Sequence, residues 1–157
     1  MKDFPKLVIS LVLPFIAGGI GSYFTIPSIG SWYVTLNKPF FSPPDFIFGP
    51  VWTLLYVLMG ISFYLVWSSA RSKFRKRATA LFLIQLVLNA SWSIVFFGLQ
   101  NPLLGLVNIV ILWIAIFITI RTFSLISKPA SYLLYPYLFW VTFAGVLNLS
   151  IVLLNPN

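Results

Sequence analysis

The chain has no cysteine and no histidine among its 157 residues, and only two acids, Asp3 and Asp45. Without cysteine there is no disulfide, no thiolate metal site and no thiol nucleophile, and cysteine usage says nothing of the redox compartment. Without histidine the commonest metal ligand, haem-iron ligand and near-neutral general base are also gone. No metal site and no cofactor are expected, and few enzyme chemistries remain open. Charge is scarce throughout: 8% of residues are charged, 60% are hydrophobic, and the mean hydropathy is +1.00. So little polar surface cannot keep a soluble domain in water, and an integral membrane protein of a single domain, residues 1–157, is expected. The net charge of +8 reads as flank charge beside membrane spans rather than a phosphate-tracking patch, and no nucleic-acid partner is expected.

What is present is a series of long uncharged runs. The first, after Lys6, continues to about Ile26 before Pro27, Ser28 and Gly30 interrupt it. It outlasts any plausible signal-peptide cleavage site and no A-x-A pattern follows, so a retained helix over about 7–26 is predicted. A second helix is predicted over about 46–70, with Pro50 in its first turn, ended by the basic run Arg71, Lys73, Arg75, Lys76 and Arg77. The next uncharged run, Ala78 to Ile120, is 43 residues long. As one helix it would reach about 64 Å, twice the hydrocarbon thickness, so it must be two, turning at Gln100-Asn101-Pro102. Helices over about 78–98 and 103–123 result, and Ser127-Lys128-Pro129 then precedes a fifth over about 131–154. Pro14 and Pro136 are expected to bend helices one and five. The fold class is thus all-α, a bundle of five transmembrane helices.

Five crossings place Lys2, Lys6, the five loop cations, Arg121 and Lys128 on one side and Lys38 alone on the other. The positive-inside rule then predicts a cytoplasmic N-terminus and an external C-terminus in a bacterial plasma membrane.

In lipid the outer surface of a bundle can be any apolar residue, so polar and small residues report its inside. Gln85, Asn89, Trp92, Ser93 and Phe96 form one stripe at helical spacing. Tyr137, Trp140, Ala144, Asn148 and Ile151 form another, as do Trp52, Tyr56, Met59 and Phe63, and Pro14, Gly18, Gly21, Ser22 and Thr25. A weaker stripe carries Asn108, Leu112, Ala115 and Thr119. Such stripes can be interhelical glue, with amides bonding across helices, or the wall of a pocket in which flat rings enclose a ligand and amides orient it. Trp32, Trp67 and Trp113 read as interfacial anchors, whereas Trp52, Trp92 and Trp140 share faces with polar groups. The connection over about 28–49 is long and holds Trp32, Tyr33, Phe40, Phe41, Phe46 and Phe48 among Pro39, Pro43 and Pro44, the composition of a stiff lid. Asp45 reads best as a cap for the second helix.

Trp32-Tyr33-x-x-Leu36-x-Lys38-Pro39, Pro43-Pro44, and Gly49-Pro50-Val51-Trp52-Thr53-x-Leu55-Tyr56 with Met59-Gly60 resemble the TspO/MBR family of translocator proteins and peripheral-type benzodiazepine receptors. So do Gln85-Leu86-x-Leu88-Asn89-x-x-Trp92-Ser93, Phe96-Phe97-Gly98, and Leu134-Tyr135-Pro136-Tyr137-Leu138-x-Trp140 with Ala144-x-x-Leu147-Asn148, over about residues 14–155 in all. The resemblance implies a five-helix bundle, commonly a homodimer, with a cavity beneath the first loop for porphyrins such as protoporphyrin IX and for isoquinoline carboxamides. By matching positions it implies Tyr33, Pro43, Trp52, Asn89, Ser93, Trp140, Ala144 and Asn148 as ligand-binding residues. Some bacterial members are reported to degrade porphyrin in light through two pocket tryptophans, which would make Trp52 and Trp140 catalytic if that chemistry operates. The cholesterol motif of animal members is absent, since Leu149 and Leu153 stand where its tyrosine and basic residue would be. Porphyrin binding is the expected function, with photochemical degradation and tetrapyrrole transport as alternatives.

Overall fold

The computed structural model of the chain describes residues 3–69 and 72–156. Lys2, Arg71 and the expected helix end at residue 70 lie outside them. Among the described residues every regular element is helical. Helix α1 spans Phe4–Ile29 and α2 Phe48–Ser68, while α3 spans Arg75–Ser93 and widens into a π segment, Ile94–Gly98. Helix α4 spans Pro102–Ser124, α5 is the short Lys128–Tyr132, and α6 spans Tyr135–Leu154. Five spans are long and apolar enough to cross a bilayer: Phe4–Ile29, Asp45–Ser68, Arg75–Gly98, Pro102–Ser124 and Lys128–Leu154. This is an integral membrane protein.

Several expected boundaries move for identifiable reasons. Helix α1 runs through Pro27 to Ile29, as prolines can within membrane helices, and Ser31 Oγ–H donates to the Pro27 carbonyl at its end. Pro14 also stays within continuous helix. The fifth span is divided at Leu133 and Leu134, so Pro136 stands in the first turn of α6, where its missing N–H costs nothing, and does not bend a helix interior. The turn at Gln100 forms as expected: Gln100 takes φ 52°, and Asn101 Oδ1 caps α4 by accepting from Leu104 N–H at 2.9 Å.

Around the bundle the order is α2, α1, α3, α4, α6. Helix α1 packs on both α2 and α3, α4 lies between α3 and α6, and α5 rests on α4 and α2. Small residues permit the α1 contacts: a Cβ on Gly60 would stand 2.8 Å from Leu11 Cα and 2.9 Å from the Ser10 carbonyl oxygen. By contrast α6 and α2 barely meet along their backbones, and rings close the seam, Trp52 on Tyr137 at 6.1 Å and Phe48 on Trp140 at 5.8 Å.

The two ends of the bundle differ. Toward the start of α3 the interior is filled, with Phe63 stacked on Phe82 at 4.3 Å and 3° and Phe82 in turn on Phe123, beside Ala78 and Ala130. Toward the end of α3 the helices enclose a cavity. The π segment belongs to that end. Within it the adjacent Phe96 and Phe97 are both buried, and both line the cavity.

Candidate functional site

The cavity holds about 610 Å³, within the range of small-molecule pockets. Helix α1 contributes a smooth wall, Gly18, Gly21, Ser22 and Thr25, which is the small-residue stripe read from the sequence except for Pro14, which does not line the cavity. Trp52 and Tyr56 come from α2, Trp92, Ser93 and Phe96 from α3, and Trp140 and Ala144 from α6. Smoothness on one side and flat rings on the others suit a planar apolar guest.

The loop over 30–47 closes the outer end. Tyr33, buried in a 3₁₀ turn over Tyr33–Thr35, packs edge-on to Phe97 at 5.5 Å and to Phe96 at 6.3 Å, and Trp32 meets Phe96 at 5.6 Å. Trp32 therefore packs within the lid on the cavity's own aromatic wall. Lys38 Nζ lies 4.1 Å from the centroid of the Tyr33 ring. Burial pushes the Tyr33 hydroxyl above its ordinary range, so it stays a neutral phenol. The middle of the loop is held to the end of α6: Asn37 N–H donates to Asn155 Oδ1 and Asn155 Nδ2 donates to the Asn37 carbonyl, each at 2.9 Å.

Seven of the eight residues expected to line a pocket do so: Tyr33, Trp52, Asn89, Ser93, Trp140, Ala144 and Asn148. Pro43 does not. The loop dips inward at Tyr33 and again at Asp45–Phe48, and Pro43 lies in the arc between these points, outside the cavity wall. Asp45 is also placed differently from expectation. It opens a 3₁₀ turn, Asp45–Ile47, ahead of α2, makes no capping hydrogen bond, and lines the cavity mouth.

The buried amides divide into two kinds. Asn89 accepts from the Tyr56 hydroxyl at 3.2 Å and donates to the Tyr137 hydroxyl at 3.1 Å, joining α2, α3 and α6. Asn148 accepts from Trp92 Nε1–H at 3.1 Å and donates to the Pro102 carbonyl at 2.8 Å, joining α3, α4 and α6. These amides act as interhelical glue that also fixes the rings around the cavity. Gln85, on the same stripe, is buried with neither amide atom hydrogen bonded among the described residues. Trp140 Nε1–H is likewise buried without a partner among the described residues, on a side chain that lines the cavity. A donor so placed is available to an acceptor on a guest.

Trp92, Phe48 and the α4 residues Ile109 and Leu112 are among the wall residues beyond the expected site residues. Trp92 is legible as a member of the α3 stripe, and Leu112 as a member of the weak α4 stripe. Phe48 is legible as one of the lid aromatics, whereas Ile109 carries no signal of a place in this wall beyond being apolar.

A profile of the TspO/MBR family matches residues 10–154 of the chain. The tryptophan-rich protein TspO of Archaeoglobus fulgidus is 51% identical over 150 residues, 96% of this chain and 97% of that one. The protein of the same name from Chlorobaculum tepidum is 48% identical over 157 residues, 99% of each chain. The human translocator protein is 37% identical over 131 residues, 82% of this chain and 78% of its own. With matches across nearly its whole length, bundle and aromatic cavity included, the chain belongs to the TspO/MBR family.

Proposed function

We propose that this protein is a membrane binding protein and sensor for porphyrins of the protoporphyrin IX type, one that also takes isoquinoline carboxamides. The ligand lies in the cavity between α1, α2, α3 and α6 beneath the 30–47 loop. The observation that carries this reading is the Trp140 N–H, without a partner among the described residues, in a cavity of about 610 Å³ walled by Trp52, Trp92, Phe96 and Trp140. Rings supply stacking area for a flat body, the glycine-rich face of α1 admits its edge, and the indole N–H orients an acceptor on it. Because Asn89 and Asn148 are already hydrogen bonded to neighbouring helices, they serve the site by holding Tyr56, Tyr137 and Trp92 in place.

The test is titration of the purified protein with protoporphyrin IX in the dark, followed by quenching of tryptophan emission and rise of porphyrin emission. Replacing Trp52 and Trp140 together by phenylalanine keeps the apolar bulk but removes the indole donor and stacking area. Affinity should fall at least about tenfold, the loss of a hydrogen bond plus stacking. Unchanged affinity in a folded double variant would place the ligand elsewhere.

A further inference from the structure

The cavity wall is almost free of charge. Among the described lining residues there is no lysine or arginine, and the single acid is Asp45, at the mouth. Its carboxylate makes no capping hydrogen bond and no ion pair, the Lys6–Asp3 contact at the opposite end being the one salt bridge among the described residues. The Tyr33 hydroxyl lies within electrostatic reach of Asp45, whose charge helps hold it as the neutral phenol. Lys38 is not among the lining residues; its ammonium sits 4.1 Å over the Tyr33 ring and makes no salt bridge with Asp45. A ligand that fills the apolar interior must leave its polar end at the mouth, beside a carboxylate with no cation in salt-bridge reach among the described residues.

We propose that Asp45 is a specificity-determining residue which selects, among flat aromatic ligands of the cavity, those whose outer end is neutral or cationic over those whose outer end is a free carboxylate. The proposal rests on the ligand-binding reading above and names the charge class of its ligand. For tetrapyrroles it favours esterified, amidated or amine-bearing side chains at the mouth over free propionates. The effect is modest because Asp45 is exposed, on the order of fivefold for two unit charges about 4 Å apart in water, and salt weakens it.

Three forms of one ring test this: protoporphyrin IX, its dimethyl ester, and its bis-amide with a diamine, which is cationic at neutral pH. Affinities are measured in uncharged detergent for the parent protein and for Asp45→Asn, and each ligand is compared between the two proteins so that its partition into micelles cancels. Asp45→Asn should tighten the dicarboxylate several-fold, weaken the diamine amide several-fold and leave the ester within about twofold. Raising salt from about 0.05 to about 1 M should shrink the first two changes and not the third. Equal shifts for all three ligands would assign Asp45 a structural role, and no shift for either charged ligand would remove it from the mouth's selectivity; each result overturns the proposal. Binding of the ester to the Trp52→Phe, Trp140→Phe variant separates this from the reading beneath it. If the ester still depends on the tryptophans while Asp45→Asn changes nothing, the charge assignment alone fails, whereas an ester indifferent to the tryptophans removes the cavity itself.

Discussion

Two amides on the inner faces of the bundle have opposite energetic roles. Asn148 makes two hydrogen bonds that join three helices, while Gln85, equally buried, makes none among the described residues. Truncating Asn148 to alanine strands the Trp92 N–H in a low-dielectric interior and removes a second donor from the Pro102 carbonyl, which keeps its bond within α4. It should cost about 1–2 kcal/mol in an unfolding titration in mixed micelles, within the range of interhelical hydrogen bonds in bilayers. Gln85→Met preserves volume and removes two polar atoms that have nothing to bond, so stability should stay level or rise. A loss of more than about 1 kcal/mol for Gln85→Met would mean that its amide has a partner such as a buried water. Sequence spacing does not separate these residues. Gln85 and Asn89 are four apart on one face, and periodicity says which face is inward but not what stands opposite; Asn89 meets Tyr56 and Tyr137, and only the packed bundle shows it.

At the scale of elements, α1 is held where it is by missing side chains. Gly60 of α2 lies against the α1 backbone at Ser10 and Leu11, which cannot yield as a flexible side chain would. Gly60→Ala should force the helices apart and destabilise the fold by about 1–3 kcal/mol. At Gly19 the place a methyl group would take has nothing within 4 Å, so Gly19→Ala should be neutral or slightly stabilising through helix propensity. Thermal unfolding of the two variants side by side checks the contrast, and equal melting temperatures would show that close approach at Gly60 is not limiting. All five spans are legible from uncharged runs and bilayer length, and the Gln100-Asn101-Pro102 turn from its chemistry. The break at Leu133 and Leu134 is not, because two leucines carry no turn signal and Pro136 suits a helix start as well as a kink. Nor is the inward dip at Asp45, since an acid just ahead of a helix has the composition of a cap whether or not it makes the bond.

For the whole molecule, charge and cavity mark opposite ends. Lys6, Lys73, Arg75, Lys76, Arg77, Arg121 and Lys128 flank the end with the filled aromatic core, and Lys38 alone stands by the lid. By the positive-inside rule the lid should face away from the cytoplasm. A C-terminal alkaline phosphatase fusion should be active in bacterial cells and a C-terminal green fluorescent protein fusion dark; the reverse pattern would invert the topology and put the cavity mouth inside the cell. The seam between α2 and α6 is closed by rings rather than backbone contact, and two of those rings, Trp52 and Trp140, line the cavity. A structure of the protein with protoporphyrin IX bound tests the central claim most directly. The macrocycle should lie between Trp52 and Trp140 beneath the 30–47 loop, with an acceptor within hydrogen-bond distance of Trp140 Nε1. A macrocycle found instead in the outer groove between Tyr23 and Gly98, with none in the cavity, would contradict it.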